Sequence, residues 1–424
     1  MTKPYTQFTK ENLKQALAHY KATKKIRDVL LVCFDQHGNW YGSHGLLGKQ
    51  ECNRLSKEVI PANRRVKIKA NREKVLLCSY RNSSKNFLEL TYHHVASFIK
   101  IDDIRHLHLP NLLTTGADID ADSVTTFYSP DLQTVAGFLS IDSATALNIQ
   151  DLRSVEGALY ANSATEIDSP NLETILGSMN TISATTINIP NLRTVGEDLN
   201  AYSVTTFNAP TLQTVEGELE ANSATSFNAP MLQAVEYRLN APSATSFNAP
   251  MLQTVKGDLN AESATSFNTP MLQTVEGFLY AHSATSFNVP NLKMVKGNLN
   301  AESTTRFCAP NLKTVKGNLN VKSATSFCAP NLQTVNGGLN AELATTFFVP
   351  NLKTVSGSLN ANSAKTIDAP KLQTVNGYLN AKLATTFHAP KLLTVDGELN
   401  LRNTTMRKFM VKSPLARRKA AETI

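Results

Sequence analysis

A repeat of 20 residues runs through most of the 424-residue chain and constrains its fold more than any other feature. Proline recurs every 20 residues from Pro110 to Pro390, with Gln150 filling one gap. Leucine follows two positions later in every copy, from Leu112 to Leu392, which gives 15 copies without insertion or deletion. Because such short equal units must stack to bury apolar side chains, the repeat predicts a β-solenoid with one coil per copy.

The columns of equivalent residues divide by how much change they tolerate. Four columns hold large apolar side chains almost throughout, and a fifth, mostly serine, becomes leucine in two copies, so all five are expected to face the core. In the copy that begins at Ala224 they are Phe227, Leu232, Val235, Leu239 and Ser243. The columns that vary among charged and polar residues are expected to face water: Gln233, Glu236, Arg238 and Pro242.

Alternation of polar and apolar residues predicts short strands at 226–229 and 238–243. A glycine follows most repeat leucines by five residues, as at Gly217 and Gly257, and indicates a tight bend or a close approach of backbones. No copy has room for a helix of ordinary length, so the region is expected to be mostly β. The asparagines that recur from Asn208 to Asn288 are expected to form side-chain ladders along a sheet.

The run Thr-Ser-Phe-Asn-Thr-Pro-Met-Leu-Gln-Thr-Val-Glu-Gly at 265–277 resembles the treponemal-type leucine-rich repeats of bacterial surface and effector proteins. It is also similar to the receptor L-domain repeat. The resemblance covers about residues 104–405 and implies a leucine-rich-repeat-like β-solenoid that recognises proteins, encoded by a bacterium or a mobile element. One departure is that the column of Asn240, inward in the standard pattern, also holds Glu220, so we expect it to face outward.

Charge divides the chain into three parts. Residues 1–100 carry a net charge of +12, residues 101–400 of −10 and residues 401–424 of +6. We therefore predict a basic α+β head domain at 1–103, an acidic solenoid at 104–405 and a basic capping tail at 406–424. The acidic repeats argue against a nucleic-acid groove on the solenoid itself.

The head resembles no known family. A helix is expected near Phe8–Tyr20, a hairpin around Asp35–Gly38, and either a helix or a strand at 87–101. One cluster of cations could contact phosphate, or could be a solvated face or a complement to the acidic repeats: Arg64, Arg65, Lys67, Lys69 and Arg72. In the tail, Phe409, Met410, Val411 and Leu415 are expected to cover the last coil.

Catalytic and cofactor motifs are missing from the sequence. It contains no phosphate-binding glycine loop, nucleophile elbow or Cys-x-x-Cys pair, so we expect no enzyme, no metal and no cofactor. Cys308 and Cys328 share a column in neighbouring copies and are expected to be free thiols rather than a disulfide. Without a signal peptide or a long apolar run, the chain is expected to be cytoplasmic, with leaderless export left open.

These observations favour a non-enzymatic scaffold that binds a protein partner along one sheet face. Its contacts are expected where the middle copies depart from the consensus: Glu216, Glu218, Glu220, Glu236, Tyr237 and Arg238. The first alternative is a nucleic-acid-associated protein that binds through the basic head. The second is a leaderless secreted effector that recognises a host protein. The sequence leaves the oligomeric state undetermined.

Overall fold

The computed structural model describes residues 33–34, 40–41, 87–89, 94–95, 99–100 and 105–401, with side chains described at 99 and 105–401. The chain divides into two compact units, Met1–Val204 and Thr205–Ile424. In the described residues both units are mostly β and contain no helix. Residues 105–401 form 20-residue coils stacked as a parallel β-solenoid, about 15 coils in all, as the repeat predicts.

Each complete coil contributes three short strands. The first has three residues centred on the Phe227 column and pairs in sheet A; the second, around Val235, pairs in sheet B; the third, around Leu239, pairs in sheet C. From residue 105 onward, the described pairings between coils are parallel and join residues 20 apart, such as Phe227 with Phe247. The equal spacing keeps each column in register, because a slip of one residue would turn every apolar side chain outward.

The described residues of the first unit contain six strands of each kind. Its sheet A strands, paired in a group of four and a group of two, are Phe87–Glu89, His106–His108, Thr126–Tyr128, Ala146–Asn148, Glu166–Asp168 and Thr186–Asn188. Its sheet B strands are His94–Val95, Thr114–Thr115, Thr134–Val135, Ser154–Val155, Thr174–Ile175 and Thr194–Val195. Its sheet C strands are Ile99–Lys100, Ile119–Asp120, Leu139–Ser140, Leu159–Tyr160, Met179–Asn180 and Leu199–Asn200.

Up to residue 401, where the described part ends, the second unit contains ten strands of each kind. Its sheet A strands, in two groups of five, are Thr206–Asn208, Ser226–Asn228, Ser246–Asn248, Ser266–Asn268, Ser286–Asn288, Arg306–Cys308, Ser326–Cys328, Thr346–Phe348, Thr366–Asp368 and Thr386–His388. Its sheet B strands are Thr214–Val215, Ala234–Val235, Thr254–Val255, Thr274–Val275, Met294–Val295, Thr314–Val315, Thr334–Val335, Thr354–Val355, Thr374–Val375 and Thr394–Val395. Its sheet C strands are Leu219–Glu220, Leu239–Asn240, Leu259–Asn260, Leu279–Tyr280, Leu299–Asn300, Leu319–Asn320, Leu339–Asn340, Leu359–Asn360, Leu379–Ala381 and Leu399–Leu401.

The segment from 87 to 101, which the sequence left open between helix and strand, supplies three strands. They pair in parallel with the strands of the first coil; Phe87–Glu89, for example, pairs with His106–His108. The parallel sheets therefore include strands upstream of residue 104. Farther upstream, Cys33–Phe34 and Trp40–Tyr41 form an antiparallel pair, which confirms the hairpin expected around Asp35–Gly38.

The core is a set of continuous apolar columns, as predicted for the columns of Phe227, Leu232, Val235 and Leu239. The phenylalanine rings stack between coils, with centroids 4.6 Å apart for Phe227 and Phe247. Three further columns that we did not predict are also buried, those of Ala229, Ala241 and Ala244. The last two are mainly alanine, whereas the first also buries larger side chains such as Leu109 and Ile149.

The prediction that the Ser243 column faces the core is wrong. Ser243 is exposed, and the two leucines that replace serine in this column, Leu343 and Leu383, are 45% and 52% exposed. The column lies in the turn after sheet C, where the flanking alanines of the coil already fill the interior. Replacement by leucine therefore reflects tolerance at a surface turn rather than an apolar requirement.

The glycine column, equivalent to Gly257, marks a close approach of backbones. A Cβ atom added at Gly257 would lie 2.8 Å from the carbonyl carbon of Tyr237 in the preceding coil. The Gly257 amide donates to the Tyr237 carbonyl oxygen at 2.9 Å, and similar bonds link glycines of neighbouring coils. This glycine therefore marks a close approach of backbones and not a tight bend alone, because the preceding coil occupies the Cβ position.

Polar ladders line the outside of sheet A. Each Asn from Asn228 to Asn288 donates from Nδ2 to the Oδ1 atom of the Asn one coil earlier, at 2.8–3.0 Å, which confirms the predicted ladder. Threonine hydroxyls make a second ladder, since Thr245 Oγ1 donates to the Thr225 carbonyl oxygen at 3.1 Å. The asparagine and threonine columns therefore face solvent and also link each coil to the preceding one through hydrogen bonds.

Several sequence-based predictions lie outside the described residues. They are the head helix near Phe8–Tyr20, the basic cluster from Arg64 to Arg72, and the capping side chains of the tail at Phe409, Met410, Val411 and Leu415. They stay predictions.

Candidate protein-binding surface

Tyr237 is the clearest departure from the repeat in the second unit. It occupies the glycine column at the bend between sheets B and C, and 63% of its surface is exposed. Its amide donates to the Gly217 carbonyl oxygen at 3.2 Å, compared with 2.8–3.1 Å for glycine-to-glycine bonds in other coils. The backbone bond of the column is therefore kept at Tyr237, and most of the residue's surface is open to solvent.

Arg238, the next residue, is held by two carboxylates of the preceding coil. Its Nη2 atom lies 3.2 Å from Glu218 Oε2 and also forms an ion pair with Glu220 Oε1. The other oxygen of Glu220 accepts a hydrogen bond from Asn240 Nδ2 at 2.9 Å. These contacts fix the guanidinium while 42% of the Arg238 side chain stays exposed.

Glu220 itself has no exposed surface, so the prediction that its side chain faces solvent is wrong. The neighbouring Asn240 is half-buried in the same column. Arg238 covers Glu220 because a buried carboxylate needs a charged partner close by. Glu220 therefore positions Arg238 instead of reaching a partner directly.

The remaining predicted residues lie at the end of the sheet B strands. Glu216 is exposed, and Glu236 forms an ion pair with Lys256 in the following coil. A hydrogen bond to Glu236 and its negative charge raise the pKa of Lys256 above its ordinary value. The structure thus joins Glu218, Glu220 and Arg238 in one network and places Glu236 in a separate pair.

Sequence reasoning missed an apolar stripe on the other side of sheet B. Three methionines in successive coils, Met231, Met251 and Met271, are exposed where most other copies carry asparagine or lysine. In neighbouring coils that asparagine caps the chain: Asn331 Nδ2 donates to the Pro310 carbonyl oxygen at 2.8 Å. The signal available in the sequence was the replacement of a polar column by methionine in three consecutive copies.

An open groove of about 850 Å³ runs along sheet A of the second unit. Its lining is neutral over four coils, with serine and asparagine columns represented by Ser246 and Asn248, and Arg306 and Cys308 lie at one end. Cys308 and Cys328 face each other in register as free thiols, and burial together with Cys308 raises the pKa of the Cys328 thiol.

Within the residues that the structure describes, no group of three or more histidine, cysteine or acidic side chains is arranged to hold a metal ion. His108 packs its ring against the ring of Tyr128, with the two centroids 5.1 Å apart. The same described part has no helix of the length and apolarity needed to span a membrane. The basic residues proposed for nucleic-acid contact, Arg64 to Arg72, fall outside this part.

Comparison with protein-family models, with curated proteins and with solved structures gave no match to this chain. The repeat β-solenoid is therefore established by the structure, and its kinship with leucine-rich repeats rests on the sequence pattern alone.

Proposed function

We propose that this protein is a non-enzymatic, leucine-rich-repeat-like scaffold that binds a protein partner at the bend carrying Tyr237 and Arg238. The observation that carries the proposal is the largely exposed Tyr237 ring beside an arginine already held in place by Glu218 and Glu220. Tyrosine and arginine dominate the energetics of protein interfaces, and a side chain fixed before binding loses less entropy when the partner docks.

The rest of the chain supports this proposal without naming the partner. Stacked coils hold surface side chains on a rigid framework, which suits recognition of a folded protein. The resemblance to bacterial repeats favours a bacterial or mobile-element origin, and we propose a cytoplasmic location from the sequence.

The test is affinity capture from nuclease-treated lysate of the source organism with the full-length protein. Tyr237→Gly restores the repeat consensus and should abolish retention of a defined protein. Arg238→Asp, made together with Glu220→Asn so that no carboxylate is left buried, should do the same. Tyr378→Gly is the matched control, because Tyr378 is an exposed tyrosine in another coil whose column already holds glycine at Gly338.

Retention of the same protein by wild type and by Tyr378→Gly, with loss in the other two variants, supports the proposal. Equal retention by all variants would remove this surface from consideration.

The basic head favours a second candidate, because residues 1–100 carry a net charge of +12. In that case the full-length protein would bind nucleic acid with an affinity that falls steeply as salt rises. Reversing the charges at Arg65, Lys67 and Lys69 would weaken that binding. A complex insensitive to salt would exclude it.

A further inference from the structure

The bend after each sheet B strand carries an ordered series of charges in six successive coils of the second unit. We call these residues the bend column: Glu216, Glu236, Lys256, Glu276, Lys296 and Lys316. The first residue is opposite in charge to the last, the second to the fifth, and the third to the fourth. The column is therefore complementary to its own reverse, which is the condition for pairing with a second copy that runs the opposite way.

Three of these six coils carry the methionine stripe of Met231, Met251 and Met271 on the other side of sheet B. In other coils asparagine at this position donates across to the preceding coil, as Asn291 Nδ2 does to the Pro270 carbonyl oxygen at 2.9 Å. Methionine gives up that bond and exposes apolar surface to water. An exposed apolar stripe of this kind indicates a surface that is covered in an assembly.

We propose that sheet B of the second unit is a self-association surface that docks against a second copy of this chain. The two copies are related by a two-fold axis that is parallel to the sheet B strands and passes between the coils of Lys256 and Glu276. This axis keeps each column opposite the same column of the other copy and reverses the order of the coils. The resulting contacts are Glu216 with Lys316, Glu236 with Lys296 and Lys256 with Glu276, each made twice.

The stripe and the neighbouring column agree with this axis. It places Met251 of one copy opposite Met271 of the other, at the centre of the contact. Lys293 and Lys313, which lie beside the bend column, fall opposite Gln233 and Gln213 and meet no like charge. An axis along the solenoid would instead place the bend column against the methionines, which would bury charge against apolar side chains.

Shifting the axis creates repulsion. If it passes through the coil of Lys256, that lysine meets itself and Glu236 meets Glu276. If it passes through the coil of Glu276, that glutamate meets itself and Lys256 meets Lys296. The charge order therefore specifies one register, which is the way charged residues confer specificity on an interface.

The size of the contact patch indicates how strongly the two copies associate. Six coils at about 4.8 Å and five residue steps at about 3.3 Å give a patch of roughly 29 by 17 Å, or about 500 Å² on each copy. A total of about 1,000 Å² is typical of weak, transient association. Because the contacts are exposed ion pairs, the association should weaken as salt rises.

This inference does not rest on the proposed function, since it uses sheet B and not Tyr237 or Arg238. The test is sedimentation equilibrium of the full-length protein at low salt, over a series of concentrations. Two variants reverse the charges at opposite ends of the bend column: Lys296→Glu with Lys316→Glu, and Glu216→Lys with Glu236→Lys. Each should dimerise about tenfold or more weakly than wild type, because four attractive contacts become repulsive.

Mixing the two variants is the decisive step. Every contact between one variant and the other is again opposite in charge, so the mixture should form a heterodimer although neither variant dimerises alone. A folding defect in either variant could not produce that result. A monomeric wild type at all concentrations, reversed variants that dimerise as well as wild type, or a mixture that stays monomeric would each overturn the proposal.

Discussion

Removing the charge of Arg238 should destabilise the second unit even though the residue lies at the surface. In Arg238→Met the side chain keeps a similar length and still covers Glu220, but the guanidinium is lost. Glu220 has no exposed surface, and its remaining donor is Asn240 Nδ2 at 2.9 Å. The carboxylate is then left buried without its charged partner.

The size of the effect follows from two limits. Removing one partner of a fully buried ion pair costs about 3–5 kcal/mol, and a hydrogen bond to a charged group contributes about 1.5–3 kcal/mol. Arg238 is 42% exposed, so water already screens part of the interaction. We therefore expect Arg238→Met to lower the free energy of unfolding by about 2–3 kcal/mol.

A double-mutant cycle isolates the pair. Glu220→Asn introduces the residue found at this position in most other coils, and by itself it should cost less than about 1 kcal/mol because Arg238 keeps Glu218. The double variant Glu220→Asn with Arg238→Met should return to within about 1 kcal/mol of wild type, since no buried charge remains. The assay is urea unfolding followed by far-ultraviolet circular dichroism, with the slope compared between variants.

The reasoning fails if Arg238→Met costs less than about 0.5 kcal/mol, which would place the pair among ordinary surface ion pairs. It also fails if the double variant is as unstable as Arg238→Met, because the loss would then come from the arginine stem and not from the stranded carboxylate.

Four further predictions test other parts of the structure. Phe267→Ala should lower the free energy of unfolding in urea by about 3–5 kcal/mol, and Phe267→Leu by less than about 1.5 kcal/mol. The ring is fully buried in a stack, and its column also accepts Leu147. Equal losses for the two variants would contradict the stacked core. Gly337→Ala should lower the melting temperature more than Gly338→Ala. The new Cβ atom would lie 2.7 Å from the Asn318 amide nitrogen at position 337 and 3.3 Å from the nearest atom at position 338. A larger loss for Gly338→Ala would refute the close approach of backbones at Gly337. Met251→Asn should raise the free energy of unfolding by about 0.5–1.5 kcal/mol through a new bond to the preceding coil, and an unchanged or lower value would show that methionine serves the coil. The rate of alkylation of Cys328, followed by mass spectrometry, should rise with pH with a midpoint above that of an ordinary thiol, because burial and Cys308 raise the pKa of Cys328. Cys308→Ser should lower that midpoint. An unchanged midpoint in Cys308→Ser would exclude the contribution of Cys308.

The sequence predicted the fold in some detail. The Phe227, Leu232, Val235 and Leu239 columns identified the core, because a side chain repeated in every stacked coil must fit against copies of itself. The asparagine ladder was predictable for the same reason. The prediction that the Ser243 column faces the core was wrong, because the leucines that replace serine in this column lie at an exposed turn. Replacement by an apolar residue shows only that a position tolerates it.

The candidate site was predicted less completely. The departure at Tyr237 and Arg238 was visible as a break in the consensus, and the structure adds that Arg238 lies over Glu220. Residue type alone gave the wrong environment for Glu220, because glutamate is seldom buried. Its burial depends on Arg238, 18 residues later in the sequence and adjacent only once the coils stack. The methionine stripe was likewise overlooked because its three members adjoin only in the stacked coils.

By itself, then, the sequence determined the period, the register and the identity of the main core columns. Because similar coils repeat the same contacts, the contacts inferred for one copy apply to the equivalent residues of the others. Only the tertiary structure decided which polar columns are covered, which are open, and which charges meet. Those outcomes depend on differences between neighbouring coils, such as Glu220 beneath Arg238 or Lys256 beside Glu236. A difference acquires a physical consequence only when stacking brings residues about 20 positions apart into contact.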